Sequence, residues 1–332
     1  MLIDLIDGKG TPHTPVWFMR QAGRYMSSYR KLKEKYNFLQ LCKTPELAAR
    51  VTLSPIEEFA YDAAILFSDI LIPFEPMGLD LSYNPSPFIS NPIRARNDLK
   101  RLRIPNCNEY EFIQETIKII LGELNGKKDL IGFSAAPFTL VTYMIEGRAK
   151  SDFSILNSIK NDEFFSELVK IATQTLINYA QAQIEAGIKI FQIFDTWAGL
   201  LSKNEYEKLM VEELNKIIDF LHKHGVKVIY FFKDGFHLIE EVRKLNCDVI
   251  SVDSSHTLLE FDELLGKNYI LQGNLDSKIL FEKPLAIKKE VDRILKEGKS
   301  LTGHIFNLGH GILPDTPISN VKFIIDYIHE NS

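Results

Sequence analysis

Eight short, nearly continuous apolar runs punctuate the chain: PVWFM (15–19), AAILF (63–67), LIGFS (130–134), IKIFQIF (188–194), VKVIYFF (226–232), DVISV (248–252), YILQG (269–273) and HIFNLG (304–309). Hydrophobicity that is continuous rather than alternating marks strands covered on both faces, as in parallel sheets. Helical patterns fill the intervals. Thr44-Pro45-Glu46 reads as an N-cap, a proline at the first helical position and an acid in the first turn. The spacing predicts a helix over 161–186 that stops at Gly187, and another over 204–224 that stops before Gly225. Eight strands alternating with helices predict an α/β fold, a (β/α)8 barrel of the TIM type, in a single domain over 1–332. GLDLSYNPSPFISNPI (78–93), rich in proline, is expected to be an irregular excursion or hairpin between the second and third strands. A doubly wound sheet is the alternative, but no GxGxxG follows the first strand.

At 332 residues the chain is an ordinary length for one such barrel. Its net charge of −5 argues against a general nucleic-acid binder, though a local basic pocket is compatible with it. Cys42, Cys107 and Cys247 lie far apart, with no CxxC, which suits a reducing cytoplasm and gives no metal signature. The first residues, MLIDLIDGKG, lack the basic and apolar regions of a signal peptide, and no apolar run approaches the ~20 residues of a membrane helix. A cytoplasmic location with no membrane partner is expected. His222 and His224 project on different faces of their helix and read as cations near its C-terminus rather than as a shared ligand site.

In a barrel of this type the site forms at the C-terminal ends of the strands. Those ends are Arg20-Gln21, Ser68-Asp69, Asp195-Thr196, Lys233-Asp234, Asp253, Gly273-Asn274 and Gly309-His310-Gly311. The residue types suggest anion binding around a central carboxylate. Arg20 and Arg24 each offer a planar, permanently charged fork suited to a carboxylate. Asp69 reads equally well as a structural partner of one of them. His310 is either a turn residue or a group that a ligand approaches across its flanking glycines. Asp195, Asp234 and Asp253 are expected to be barrel ion pairs, and Trp17 core.

PVWFMRQAGRYMSSYR (15–30) and GFSAAPFTLVTYMIEG (132–147) resemble the two signatures of the uroporphyrinogen decarboxylase family. TPELAARVTLSP, DAAILFSDIL, FDTWAG, LQGNLD and FNLGHGILPDTP continue the resemblance in order along nearly the whole chain. It implies a somewhat distorted (β/α)8 barrel, usually a homodimer, that removes carbon dioxide from the four acetate side chains of uroporphyrinogen III. It also implies that no metal and no organic cofactor take part. Residue by residue, the resemblance places Arg20, Gln21, Ala22, Gly23 and Arg24 on the first substrate-binding segment. Asp69 matches the central aspartate, Tyr143 the tyrosine of the second signature, Thr196 the hydroxyl residue after the fourth strand, and His310 the histidine of the last. Asp69, Arg20 and Tyr143 are the expected catalytic set. Ser27-Ser28, Ser54, the SVDSSH segment and Ser277 depart from the family's common residues, and none coincides with a matched site residue.

Two other functions fit a barrel of this kind. A zinc-dependent, corrinoid-type methyltransferase needs a His/Cys ligand set, and YFFKDGFHL (230–238) contains no cysteine. A non-catalytic porphyrinogen carrier would use the same pocket without releasing carbon dioxide.

Overall fold

Seven of the eight apolar runs form one parallel sheet in the computed structural model, which describes residues 1–83, 86–148 and 152–332. The strands are β1 (Ala63–Ile65), β2 (Leu81–Tyr83), β3 (Pro87–Ile89), β4 (Asp129–Ala135), β5 (Ile190–Asp195), β6 (Lys227–Phe232), β7 (Val249–Ser251), β8 (Ile270–Leu275) and β9 (His304–Leu308). The sheet runs β1-β4-β5-β6-β7-β8-β9, each neighbour parallel, so every carboxyl end opens on the same face.

The first run is not a full strand. It makes a single parallel bridge, Val16 to Phe306 of β9. On that side Phe306 N–H donates to Pro15 O at 2.8 Å; on the other, Asp62 N–H, just before β1, donates to Val16 O at 2.9 Å. The segment therefore closes the curl between β9 and β1. It does not extend because side chains take its donors. Val16 N–H donates to Asp62 Oδ2 at 2.9 Å, Phe18 N–H to Gln21 Oε1 at 3.2 Å, and Met19 N–H to Asn307 Oδ1 at 3.0 Å. Pro15 has no N–H to give.

Trp17 is core, as expected from the sequence, and fully buried. Its indole N–H donates to Gln272 Oε1 at 2.9 Å, and the Gln272 amide donates in turn to Gln192 Oε1 and Ser251 Oγ. Most of this polar layer inside the barrel is paired, as burial requires, while Gln192 Nε2 has no hydrogen-bond partner among the described residues. The buried apolar side chains around it belong to one contiguous core, from Leu2 to Ile328.

The helix predicted over 161–186 runs Glu163–Glu185 and is followed by Gly187 in the left-handed region at φ 110°. Pro45 opens the helix Pro45–Glu58 as expected, but the Thr44 side chain makes no capping bond. The third helical stretch is interrupted: Lys203–Tyr206 and Glu212–Lys223 are α-helical, joined by a wider π turn at Glu207–Val211. His222 pairs with Asp248 at 2.8 Å while His224 bonds Phe220 O, so the two histidines do have separate partners. β2 and β3 pair as an antiparallel hairpin within the proline-rich segment, whose Asn84 and Pro85 lie outside the described residues. Ile89 N–H donates to Gly147 O at 2.8 Å, tying the hairpin to the end of the helix Pro137–Glu146.

Candidate active site

Arg20 ends the first run in a tight turn closed by Gln21 N–H donating to Phe18 O at 3.0 Å. Its φ of 61° is rare for a residue with a side chain and costs on the order of 1 kcal/mol or more. The exposed Arg20 side chain lies across Gly311, where an added Cβ would meet Arg20 Cδ at 2.4 Å and Cγ at 2.8 Å. Gly311 thus leaves room for the arginine, as well as following His310. Gly311→Ala is expected to lower turnover about 10- to 100-fold by displacing the guanidinium. Steady-state kinetics beside a thermal melt checks this; wild-type kinetics would mean the arginine re-seats freely.

The other residues of this segment differ in placement. Gln21 is buried, its carboxamide accepting from Phe18 N–H and donating to Ala63 O at 3.1 Å. Its side chain therefore braces the segment against β1, with both ends of the carboxamide engaged by backbone. Tyr25 Oη donates to Gln21 O at 2.7 Å and holds the same bend. Ala22 packs against the core, and a Cβ on Gly23 would come within 3.1 Å of Arg20 O. Arg24 is exposed, with Tyr29 as its electrostatic neighbour.

Asp69 follows β1 and accepts Leu71 N–H at Oδ1, 2.8 Å, while its own carbonyl accepts Ile72 N–H at 3.2 Å. Burial raises its pKa above the ordinary carboxylate value, opposed by the Leu71 bond, the Tyr83 hydroxyl and the positive charge of Arg20. Asp69 is thus partly buried with Arg20 near it, but no ion pair joins the two among the described residues. Tyr83 is a site residue that sequence reasoning missed. Its hydroxyl is turned toward Asp69 closely enough to lower the carboxyl pKa, yet without the geometry of a formed hydrogen bond. The hairpin delivers it, and nothing in its local pattern signals a role. Tyr83→Phe removes a group that favours the ionised carboxyl, so the Asp69 pKa is expected to rise. The acid limb of the pH–rate profile then moves to higher pH; an unmoved or lowered limb would show that Tyr83 does not act on Asp69.

Tyr143 projects from the helix Pro137–Glu146, partly buried. Burial and the Asp69 charge raise its pKa, so the phenol stays protonated and able to donate. The Trp197 ring lies 6.2 Å from the Tyr143 ring, centroid to centroid. Trp197 follows Thr196, in the turn after β5. That turn is held from below. Thr139 Oγ1 accepts Trp197 N–H at 3.2 Å and donates to Asp195 Oδ1 at 2.8 Å; Tyr230 Oη donates to Asp195 Oδ2 at 2.9 Å. Asp195 is fully buried and makes no ion pair among the described residues, contrary to the sequence expectation; hydroxyls take its place. Burial pushes its pKa up to about 6.

His310 lies beyond β9. Its Nδ1 accepts Gly311 N–H at 2.6 Å, which assigns the neutral tautomer with its proton on Nε2. Burial, with the charges of Arg20 and Lys233, depresses its pKa to about 4, so near neutral pH it is an uncharged hydrogen-bond donor. Lys233, at the end of β6, is paired with Asp234 and adds a second cation on this side. Asp253 accepts Asp234 N–H at 2.7 Å and Ser255 N–H at 2.9 Å, a loop brace rather than an ion pair.

Arg20, Asp69, Tyr143 and His310 are therefore one electrostatically connected group, with Thr196 adjoining through Trp197. A carboxylate, a cation and two neutral donors lie close enough to act on one another, an arrangement able to bind carboxylates while stabilising positive charge at its centre.

Comparison with known proteins identifies the family of the chain. The family model described as uroporphyrinogen decarboxylase matches residues 1–331. A uroporphyrinogen decarboxylase from Geobacter metallireducens is 44% identical over 99% of this chain and 98% of its own length. One from Syntrophotalea carbinolica is 42% identical, covering 97% and 95%. Among solved structures, a methyltransferase from Methanosarcina mazei superposes with a TM-score of 0.76 over 99% of this chain and 97% of its own, at 22% identity, a likeness of fold. Matched along almost its whole length in sequence, the chain belongs to the uroporphyrinogen decarboxylase family.

Proposed function

We propose that this chain decarboxylates the four acetate side chains of uroporphyrinogen III to methyl groups, giving coproporphyrinogen III in tetrapyrrole biosynthesis. Family membership over the full chain carries the reading. The partly buried Asp69 carboxylate, with Arg20 near it, supports the chemistry.

An acetate on a pyrrole does not lose carbon dioxide unaided, because the electrons of the broken C–C bond need a sink. Protonating the ring carbon adjacent to the acetate-bearing position makes the pyrrole iminium-like, and the substrate itself becomes that sink. The C–C bond then breaks, carbon dioxide leaves, the exocyclic methylene takes a proton, and the ring carbon releases its own. Each event converts one –CH2–COO⁻ and one proton into –CH3 and CO2.

In this mechanism Asp69 accepts the pyrrole N–H groups and stabilises the cationic ring. Arg20 binds the reacting acetate and delivers the proton through a held water, since a guanidinium with pKa above ~12 is a poor acid by itself. Arg24 and Lys233 hold outlying carboxylates. Gln21, Ala22 and Gly23 shape the segment that presents Arg20. Tyr143, Thr196 and the Nε2–H of His310 orient the substrate by hydrogen bonds. Tyr143→Phe is expected to cost about 1 kcal/mol, or roughly 5- to 10-fold in kcat/KM. A dead enzyme would give the hydroxyl a larger part than orientation.

Homodimerisation and cytoplasmic residence belong to the same proposal and rest on the family. No helix among the described residues is long and apolar enough to cross a membrane. The test is to treat the protein with chelator, supply uroporphyrinogen III and count carboxylates on the product. Stepwise loss from eight to four supports the reading. Bound but unchanged porphyrinogen would establish a carrier, and activity appearing only as methyl transfer with added zinc would establish a methyltransferase.

A further inference from the structure

At the end of the barrel opposite the site, three side chains from distant parts of the chain meet. Asp62 immediately precedes β1, His13 precedes the first apolar run, and His329 lies in the C-terminal helix Ile318–Asn331. Each offers a ligand atom, and these atoms lie within 4.8 Å of one another. His13 Nε2 is 3.3 Å from both Asp62 oxygens, and His329 Nε2 is 3.0 Å from Oδ2. The two imidazole rings are tilted against each other with centroids 3.9 Å apart. Val16 N–H donates to Asp62 Oδ2 at 2.9 Å and fixes the carboxylate. Asp62 is 1% exposed, His13 18% and His329 21%, so the cluster has a protein floor and an open side to solvent.

We propose that His13, Asp62 and His329 form a structural site for a divalent transition-metal ion of the zinc type. Two imidazoles and a carboxylate match such ions in ligand type. Zinc–ligand bonds of about 2.0–2.1 Å in a tetrahedron place neighbouring ligand atoms roughly 3.3 Å apart. The separations of 3.3 and 3.0 Å from the two imidazole nitrogens to Asp62 Oδ2 meet that spacing, and the nitrogens themselves lie within 4.8 Å of each other. Hydrogen bonding accounts for His329 but poorly for His13. A well-made N–H···O bond is about 2.9–3.0 Å and directed at one oxygen, whereas His13 stands equidistant from two. Three protein ligands leave a fourth position for water on the solvent side. The competitor is Lys128, whose Nζ lies 3.4 Å from Asp62 Oδ1; at 31% exposure it can swing into solvent when an ion enters.

The ion would clamp the N-terminal segment, the entry to β1 and the last helix. Its effect falls on stability and leaves the catalytic face alone. The test is calorimetric titration of the chelator-stripped full chain with Zn²⁺, with thermal melts alongside. One ion per chain is expected, with a melting temperature raised by a few degrees. His13→Ala and His329→Ala are each expected to weaken binding by about 100-fold or more. Lys128→Met is expected to tighten it several-fold, a gain that misfolding cannot mimic. Absence of 1:1 binding in the wild type, 1:1 binding that survives His13→Ala/His329→Ala, or unchanged affinity in Lys128→Met would each overturn the assignment.

Discussion

Asp69→Asn is expected to lower the rate of decarboxylation by about 10²- to 10³-fold, the usual consequence of removing one preorganised charge-stabilising group, about 3–4 kcal/mol. The substitution keeps the shape and the oxygen that accepts Leu71 N–H, so the turn after β1 should stand. On the proposed mechanism, what it removes is the negative charge facing a ring that becomes cationic in the transition state. Burial has already raised the Asp69 pKa, which means the surroundings solvate this charge poorly and an incoming cation meets little competing stabilisation. The loss should appear in kcat more than in KM, because the ring is neutral in the ground state. Single-turnover kinetics separates the two. A variant with near-normal turnover would remove the central carboxylate from the mechanism.

Arg20→Lys is expected to cost about 2–3 kcal/mol, on the order of 10²-fold in kcat/KM. The charge survives, but the planar fork that pairs with a carboxylate does not. Position adds to the effect. Arg20 springs from a left-handed turn and passes over Gly311, a path that sets where its guanidinium arrives. A lysine on the same path carries a point charge with no second donor in the carboxylate plane. Full activity in Arg20→Lys would show that charge suffices and that the close fit against Gly311 serves only the loop.

The barrel could be read from the sequence because seven of its walls are short strands buried on both faces, and burial on both faces writes itself as unbroken apolar runs. The first run carries the same signature yet makes one bridge, since Asp62, Gln21 and Asn307 side chains take the donors that a neighbouring strand would have used. Those bonds depend on partners remote in sequence and leave no local pattern. Asp69 and His310 were legible because strand ends converge on one face of a parallel barrel, whatever the intervening helices do. Gln21 illustrates the limit of that reasoning: it sits in the right segment, but its carboxamide is bound to Ala63 O within the wall. Tyr83 lay beyond reach for the opposite reason, arriving from a hairpin outside the strand–helix rhythm. Asp195 was expected to need a cation, and two hydroxyls serve instead. His13, Asp62 and His329 share no spacing at all, and only closure of the barrel brings them together.

One measurement tests the central claim most directly. Metal-stripped protein is given uroporphyrinogen III in D2O, and the product is weighed and its carboxylates counted by mass spectrometry. If the substrate's own protonated ring is the electron sink, four carboxylates are lost and each new methyl group carries one solvent deuterium. A product that keeps all eight carboxylates, or that loses them only after a metal is restored, would contradict it.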